Sequence, residues 1–422
     1  MDRSSAILER FRALYPREID LSLDRMKVLM DKLGRPDLRL PPVIHLAGTN
    51  GKGSTTAFLR AMLEAAGKSV HVYTSPHLVR FHERMRIGAP GGGRFVDEDE
   101  LIEVLIAVEH ANAGAPIPQF EITTAAAFQL FADHPADFLL LEVGLGGRYD
   151  ATNIVADPLV AVITQIALDH EKFLGNTVEE IASEKAGIIK RNRPVVVAPE
   201  RDSVIDVIEA EAARLGAPVH LANRDWVAHA EHGRLVYQDE GGLLDLPAPR
   251  LVGRHQFTNA GVAIAALRQV DPAIPTQAIE AGLTGVEWPA RMQRLTSGRL
   301  VGRTRGDAEI WLDGGHNPAA GQAIAEAVAD LEERVPRPFF MICGMLNTKD
   351  PVGFFQPFAG LAKQACGFFG NIIFSRQFFG PFTNFLAGII TSFFQSQLKN
   401  RRCFFVFDAF AIFFHQPVCV SG

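Results

Sequence analysis

A short glycine-rich segment between an apolar run and a helical pattern constrains the fold of this chain most. Residues 43–47 are mostly apolar, residues 48–55 read Gly-Thr-Asn-Gly-Lys-Gly-Ser-Thr, and a helical pattern follows. Glycines let backbone N–H groups approach an anion closely, and the N-terminus of the next helix adds a partial positive charge. Lys52 supplies a cation for phosphate oxygens. The segment therefore predicts a nucleoside triphosphate site and chemistry driven by ATP.

The spacing of this segment departs from the standard Walker A pattern. In that pattern Ser or Thr directly follows the lysine, whereas here Gly53 intervenes. A glycine-rich turn without a ligand is the alternative interpretation. The joint occurrence of a lysine, glycines and two hydroxyls where a strand gives way to a helix favours a phosphate-binding loop. The candidate nucleotide ligands are its central residues, Thr49, Asn50, Gly51, Lys52, Gly53 and Ser54.

Alternating apolar runs and helical patterns predict an α/β fold. Buried parallel strands read as nearly continuous apolar runs, and the helices between them form the crossovers. The strand candidates are residues 43–47, 69–74, 138–143, 159–164, 194–198 and 218–221, and the helix candidates are residues 54–66, 99–111, 123–132, 178–189 and 203–215. We expect a P-loop-type parallel-sheet ATPase domain over residues 1–287. A smaller Rossmann-like α/β domain is expected over residues 291–422.

Composition and charge narrow the class of protein. A net charge of −6 argues against a nucleic-acid partner, and 47% hydrophobic residues are ample for buried cores. No apolar run reaches the length of a membrane span, and the N-terminus lacks the apolar segment of a signal peptide. Four cysteines lie in the last fifth of the chain without metal-ligand spacing, which favours free thiols. We therefore expect a cytoplasmic protein with neither a nucleic-acid nor a membrane partner.

The last 57 residues, 366–422, have an atypical composition. They contain 15 of the 30 phenylalanines and a single acid, Asp408, and no helical or strand period is visible. One alternative is a specialised hydrophobic tail, and the other is a non-native ending such as a change of reading frame produces. The second is favoured because the segment lacks the amphipathic helices of an interfacial element.

Polar side chains stand where predicted strands end. Glu142 ends a run of apolar residues, and a carboxylate there is costly to bury unless it is paired or bound to a metal. Together with His170 and a hydroxyl near the phosphate loop it could hold Mg²⁺, which favours oxygen ligands. An ordinary loop acid and a structural histidine are the alternatives. Lys185, on a helix that Thr177 would cap, reads on its own as a surface lysine.

Seven ordered segments together resemble the Mur ligase superfamily, and specifically the folylpolyglutamate synthase/dihydrofolate synthase family. The resemblance covers roughly residues 10–364 and rests on residues 48–54, 73–77, 142–153, 168–170, 184–187, 255–260 and 313–318. It implies an ATP-dependent ligase that joins L-glutamate to dihydropteroate, to folate or to both. In that reaction a carboxylate attacks the γ-phosphate of ATP, and the glutamate amine then displaces phosphate from the acyl phosphate.

The resemblance also assigns roles to particular residues. It gives Mg²⁺ the ligands Ser75, Glu142 and His170, and it makes Lys185 a carbamylated lysine that supports a second Mg²⁺. It places Asn259 at the adenine base. It implies that Arg291 and Asp313 of the second domain approach the nucleotide and that His316 lies in the same turn as Asp313. The implied catalytic set is Lys52, His170, Lys185, Arg291 and His316, and the implied pterin contacts are Phe120, Glu121, Tyr149, Asp150 and Ala151.

Two rival functions stay open at this point. One is a cell-wall ligase acting on a UDP-muramoyl acceptor, against which the residue patterns at 73–77 and 145–153 argue. The other is a nucleotide-binding protein that its altered C-terminus has inactivated. The chain also departs from the family at Ala290, where the family usually has glycine. A monomer acting on small-molecule substrates is expected.

Overall fold

A computed structural model describes residues 3–14, 22–303, 308–346, 348–369, 372–375 and 409–415. From residue 364 onward it describes the backbone only. The chain divides into two compact units, Met1–Trp288 and Pro289–Gly422.

The first unit is organised around an eight-stranded sheet whose central strands are parallel. The strands are β1 (Val43–Ala47), β2 (Val70–Tyr73), β3 (Met85–Ala89), β4 (Gly92–Phe95), β5 (Phe138–Glu142), β6 (Val160–Ile163), β7 (Val195–Val197) and β8 (Val219–Leu221). Their order is β4-β3-β2-β5-β1-β6-β7-β8. Strands β1, β5 and β6 are buried along their whole length, as their nearly continuous apolar sequences predict.

Helices cover both faces of this sheet. They are α1 (Arg3–Leu14), α2 (Asp24–Lys32), α3 (Lys52–Ala65), α4 (Glu98–Asn112), α5 (Gln119–Asp133), α6 (Glu171–Leu174), α7 (Val178–Ala186), α8 (Asp202–Leu215), α9 (His255–Val270) and α10 (Thr276–Gly285). One apolar core joins the sheet to α3, α9 and α10. Two further cores join it to α1, α2, α4 and α5, and to α7 and α8. The predicted α/β class is therefore confirmed.

The first unit also contains two antiparallel elements, and the sequence predicts the second of them as a small β element over residues 235–246. The hairpin β3–β4 extends the sheet beyond β2. A separate three-stranded sheet contains β9 (Trp226–Glu231), β10 (Arg234–Asp239) and β11 (Gly242–Leu246). The short edge strand β4 is rich in glycine, and such a sequence carries little apolar period.

The second unit has a six-stranded sheet in the order β12-β13-β17-β14-β15-β16. Its strands are β12 (Gln293–Leu295), β13 (Glu309–Asp313), β14 (Phe339–Met345), β15 (Ala362–Phe369), β16 (Ile372–Ser375) and β17 (Ala409–His415). Its helices are α11 (Pro318–Arg334) and α12 (Pro351–Phe355). Strands β14 and β15 pair in parallel, and β17 lies antiparallel between β13 and β14.

Three segments from residue 366 onward are strands, although their sequence shows no strand period. Strand β15 continues to Phe369, and β16 and β17 also belong to the sheet. Residues 370–371, 376–408 and 416–422 lie outside the described part of the chain. Cys343 is a buried free thiol, and the side chains of the other three cysteines lie outside the described part as well. Among the described residues, no helix is both long and apolar enough to cross a membrane.

Candidate active site

The glycine-rich loop connects β1 to α3, as predicted. Gly51 has φ = +91°, a left-handed conformation that favours glycine, and it directly precedes α3. The loop is fastened to the segment after β6, because the N–H groups of Thr49 and Asn50 both donate to the carbonyl oxygen of Gln165. The Thr164 hydroxyl donates to the Asn50 carbonyl at 2.8 Å. Helix α3 begins directly after the loop, and the N–H groups of a first helical turn point at the place where an anion binds.

Two lysine amines meet on one carbonyl of this loop. Lys52 Nζ donates to the oxygen of Gly48 at 2.7 Å, and Lys185 Nζ donates to the same oxygen at 2.9 Å. Lys185 is only 4% exposed, so its interpretation as a surface lysine is wrong. Burial, with the nearby charge of Lys52, lowers the pKa of Lys185 to about 7. The structure thus adds a second, partly neutral amine to the predicted phosphate site.

Local sequence explains how Lys185 comes to lie there. Helix α7 begins with a capping box, in which Thr177 accepts from the N–H of Glu180 and the Glu180 side chain accepts from the N–H of Thr177. This start places the buried face of α7, with Ile181 and Lys185, toward the sheet. Packing of the helix therefore determines the burial of the amine.

The candidate metal ligands are partly brought together. Strand β2 pairs with β5, with Tyr73 opposite Leu141, so Ser75 lies beside Glu142. The N–H of Ser75 donates to Glu142 Oε2 at 3.3 Å, and Glu142 is 4% exposed. His170 has φ = +53° at the start of α6, and its Nε2 is 4.0 Å from Asp169 Oδ1.

The protein side chains alone do not form a full metal cage. Within the described part of the chain, no three His, Cys, Asp or Glu residues cluster closely enough to hold a metal ion. Magnesium commonly keeps several waters and binds through one or two carboxylates plus substrate phosphates. A buried carboxylate at Glu142, in contact with the backbone of Ser75, fits this mode of magnesium binding.

The candidate pterin contacts surround the end of β5. A Cβ added to Gly144 would lie 2.4 Å from Phe120 Cζ, and the Phe120 ring is tilted against Tyr73 with centroids 6.3 Å apart. Ala151 is buried, whereas Tyr149 is 46% exposed. An aromatic wall therefore borders the residues that follow Glu142.

Asp150 is engaged by its own loop. Its Oδ1 accepts from the N–H and hydroxyl of Thr152, and its Oδ2 accepts from the N–H groups of Gly144 and Leu145. Burial raises the pKa of this carboxyl, although these hydrogen bonds oppose the rise. Its visible task is to shape the loop that carries the other candidate contacts.

Asn259 lies at the phosphate loop. A Cβ on Gly51 would be 2.5 Å from Asn259 Oδ1, and Asn259 Nδ2 donates to Gln256 Oε1 at 3.1 Å. The side chain is 8% exposed. Its amide therefore borders the predicted nucleotide site from α9.

Two of the three candidate residues of the second unit, Asp313 and His316, lie in one turn, and Arg291 lies beside it. Asp313 accepts from the N–H groups of Met292 and Gly315, at 2.8 and 2.7 Å. Arg291 Nη1 donates to the carbonyl of Ala290, and His316 Nδ1 is 3.1 Å from the carbonyl of Gly314. The structure thus gathers Arg291, Asp313 and His316 around the start of this unit.

Comparisons with known proteins agree with this geometry. Residues 95–267 match the family model of the Mur ligase middle domain. A Bacillus subtilis dihydrofolate synthase/folylpolyglutamate synthase is 37% identical over 72% of this chain and 71% of its own length. An Escherichia coli protein of the same name is 36% identical over 81% of this chain and 75% of its own length.

The chain belongs to the dihydrofolate synthase/folylpolyglutamate synthase family.

A solved structure supports the same assignment. The structure described as E. coli FolC in complex with DHPP and ADP has a TM-score of 0.75 and 32% sequence identity, over 86% of this chain and 82% of that one. The resemblance drawn from the seven sequence segments is therefore confirmed.

Three residues near the candidate site were not predicted from the sequence. His45, inside β1, has Nε2 2.9 Å from the hydroxyl of Thr152, and burial lowers its pKa to about 3. Arg25 forms a two-point ion pair with Glu121, at 2.7 and 3.0 Å. Arg84 Nε donates to His77 Nδ1 at 2.9 Å. A polar residue inside an apolar run was the available signal for His45.

Proposed function

We propose that this protein uses ATP to join L-glutamate to dihydropteroate, to folate or to both. The carboxylate of the pterin substrate attacks the γ-phosphorus of ATP, and ADP leaves. The glutamate amine then attacks the acyl carbon of the resulting acyl phosphate, inorganic phosphate leaves, and the amine loses its proton. Relatives with the double name given above support this assignment. So does a solved structure described as an FPGS-AMPPCP-folate complex, which is 30% identical with a TM-score of 0.72.

The observation that carries the proposal is the glycine-rich loop between β1 and α3, with the amine of Lys52 held at the carbonyl of Gly48. The first step brings a carboxylate up to a triphosphate, so two anions must approach each other. Cations held beforehand in a site of low dielectric stabilise such an encounter more than mobile solvent does. Lys52 is the residue that we assign to the phosphate oxygens.

Magnesium fits the residues at the end of β5. We propose that Ser75, Glu142 and His170 hold it, and that it supplies positive charge to the phosphate oxygens when bound. Lys185 fits a carbamate because only a neutral amine adds CO₂, and a pKa of about 7 leaves a large neutral fraction near neutrality. A carbamate would turn a buried cation into an anion able to support a second Mg²⁺.

We further propose that the pterin substrate lies against Phe120, near Tyr149 and Ala151. An aromatic slot with a few polar anchors suits a pterin ring. Asp150 shapes this loop, and Glu121 is held by Arg25 at its edge. Arg291 and Asp313 are proposed as nucleotide contacts of the second unit, and His316 as a catalytic residue beside them. A division into functional domains at residues 287–291, and a monomeric state, belong to the same proposal.

The test is an ATPase assay of the purified protein with and without each co-substrate. Phosphate release should require both a pterin acceptor and L-glutamate, and mass spectrometry should show the acceptor plus one glutamyl residue. A UDP-muramoyl acceptor serves as the matched rival and should give no product. Folded protein that turns over with none of the pterins would refute the proposal. Binding of mant-ATP without turnover would instead indicate an inactive nucleotide-binding protein.

A further inference from the structure

The segment of residues 282–288, which contains the end of α10 and the residues that follow it, runs along α3 toward the phosphate loop. At its start a Cβ on Gly282 would lie 2.5–2.7 Å from side-chain and backbone atoms of Met62, so the two helices approach each other closely. Farther on, Arg60 Nη2 donates to the carbonyl of Glu287 at 3.3 Å. The contacts thus proceed toward the N-terminus of α3 as the segment proceeds toward its own end.

This segment, residues 282–288, ends with an indole ring on the phosphate loop. A Cβ built on Gly53 would lie 2.9 Å from Trp288 Nε1, 3.0 Å from Cζ2 and 3.1 Å from Cε2. Trp288 is half-buried, packs against the core shared by α3, α9 and α10, and is the last residue of the first unit. The ring therefore occupies the space in which the residue after Lys52 would place a side chain.

The contact explains the departure from the Walker A pattern. Gly53 belongs to the first turn of α3 and is not among the residues of positive φ, so its backbone conformation suits any residue. Glycine is needed here because the indole ring lies against its Cα. A serine or threonine at this position would collide with Trp288.

We propose that Trp288 is a positioning residue for nucleotide binding, because its indole fixes the first turn of α3. This inference rests on the nucleotide site of the proposed function. The N–H groups of that turn must point toward one place to bind phosphate well, and helix ends otherwise fray. A large aromatic side chain anchored in the core restrains the turn from outside, and its loss should weaken ATP binding by roughly tenfold.

A double-mutant cycle separates this role from general packing. The variants are Gly53→Ala, Trp288→Ala and the double variant, and the readout is the Kd of mant-ATP by fluorescence titration. We expect Gly53→Ala to weaken binding in the wild-type background, because its methyl group meets the ring. In the Trp288→Ala background the same methyl group should cost nothing further. In steady-state assays Trp288→Ala should raise KM for ATP and leave KM for glutamate unchanged.

Trp226→Phe is the control, because Trp226 lies in the same unit but packs on Tyr237 and donates to the carbonyl of His220. Its Kd for mant-ATP should match the wild type. If Trp288→Ala unfolds, Trp288→Phe takes its place in the cycle, since phenylalanine lacks the ring atoms nearest to Gly53.

Additive losses in the cycle, or normal binding by Gly53→Ala, would overturn the inference while leaving the proposed function intact. A wild-type protein that binds no mant-ATP would reject both together.

Discussion

Replacing Lys185 by methionine should make the protein more stable and inactive at the same time. The amine is buried, and burial with the nearby Lys52 lowers its pKa from the ordinary 10.5 to about 7. That difference, at about 1.4 kcal/mol for each pH unit, corresponds to about 5 kcal/mol of unfavourable free energy for the buried charge. Methionine keeps most of the length of the side chain but loses the hydrogen bond to Gly48. A hydrogen bond of this kind contributes about 1 kcal/mol to stability. The net gain at low pH is therefore about 4 kcal/mol.

The lowered pKa of Lys185 also determines how the free energy of unfolding changes with pH. Below a pH of about 7 the amine is protonated in both the folded and the unfolded state. The folded protein then bears the whole unfavourable free energy of the buried charge. Between about 7 and 10.5 the unfolded chain binds the proton and the folded protein does not, so stability of the wild type rises with pH. The advantage of Lys185→Met should thus be largest below neutrality and should fade by pH 10.5.

The assay is urea unfolding followed by circular dichroism, in CO₂-free buffer, at a series of pH values. Lys27→Met is the matched control, because Lys27 is exposed and its contact with Asp24 on α2 is a surface ion pair. Such a pair contributes little, so the control should match the wild type within about 1 kcal/mol. A Lys185→Met variant no more stable than the wild type below neutral pH would refute the reasoning. Turnover should be lost at every pH.

Three further predictions concern single residues. Lys52→Ala should lower turnover at least about a hundredfold with an unchanged circular dichroism melt, since it removes charge at the phosphate loop; near-normal turnover would contradict the proposed cradle. Ala290 has φ = +54°, so Ala290→Gly should stabilise the protein by about 1 kcal/mol in urea unfolding, and a loss of stability would contradict this. The pKa of His45 falls to about 3 in the folded protein, so the unfolded chain binds the extra proton and stability is lost as pH falls from 6.5 toward 3. His45→Gln keeps a donor for Thr152 and should unfold at a lower pH than the wild type in an acid titration; an unchanged midpoint would count against the buried neutral imidazole.

The parallel core could be predicted because its strands are buried on both faces. Strand β1 has the predicted bounds, and β5 and β6 lie within one or two residues of theirs. The hairpin β3–β4 could not be predicted in this way. Its residues 92–95 read Gly-Gly-Arg-Phe, which has no apolar period, and they form a strand because they pair with β3. Strand β17 was missed for a similar reason, because its place is decided by pairing with β13 and β14 from distant parts of the chain.

The residues of the candidate site also differ in whether local sequence or tertiary packing reveals them. Glu142 was found because an acid at the end of an apolar strand is conspicuous on chemical grounds alone. Lys185 was not found on those grounds, because a lysine on a short helix is normally solvated, although Val178, Ile181 and Ala182 lie on the same buried face. Trp288 gave no signal either, since its contact with Gly53 joins residues 235 positions apart.

The hydrogen bonds at the phosphate loop indicate different roles for Lys52 and Lys185. The N–H groups of Thr49 and Asn50 are already engaged by Gln165, so they hold the shape of the loop. Lys52 and Lys185 share the Gly48 carbonyl, so a phosphate that draws Lys52 away leaves Lys185 as the side-chain donor to that oxygen. It follows that Lys52→Ala should weaken mant-ATP binding, whereas Lys185→Met should bind mant-ATP and fail at ligation. Equal loss of nucleotide affinity in both variants would mean that the two amines act as one unit.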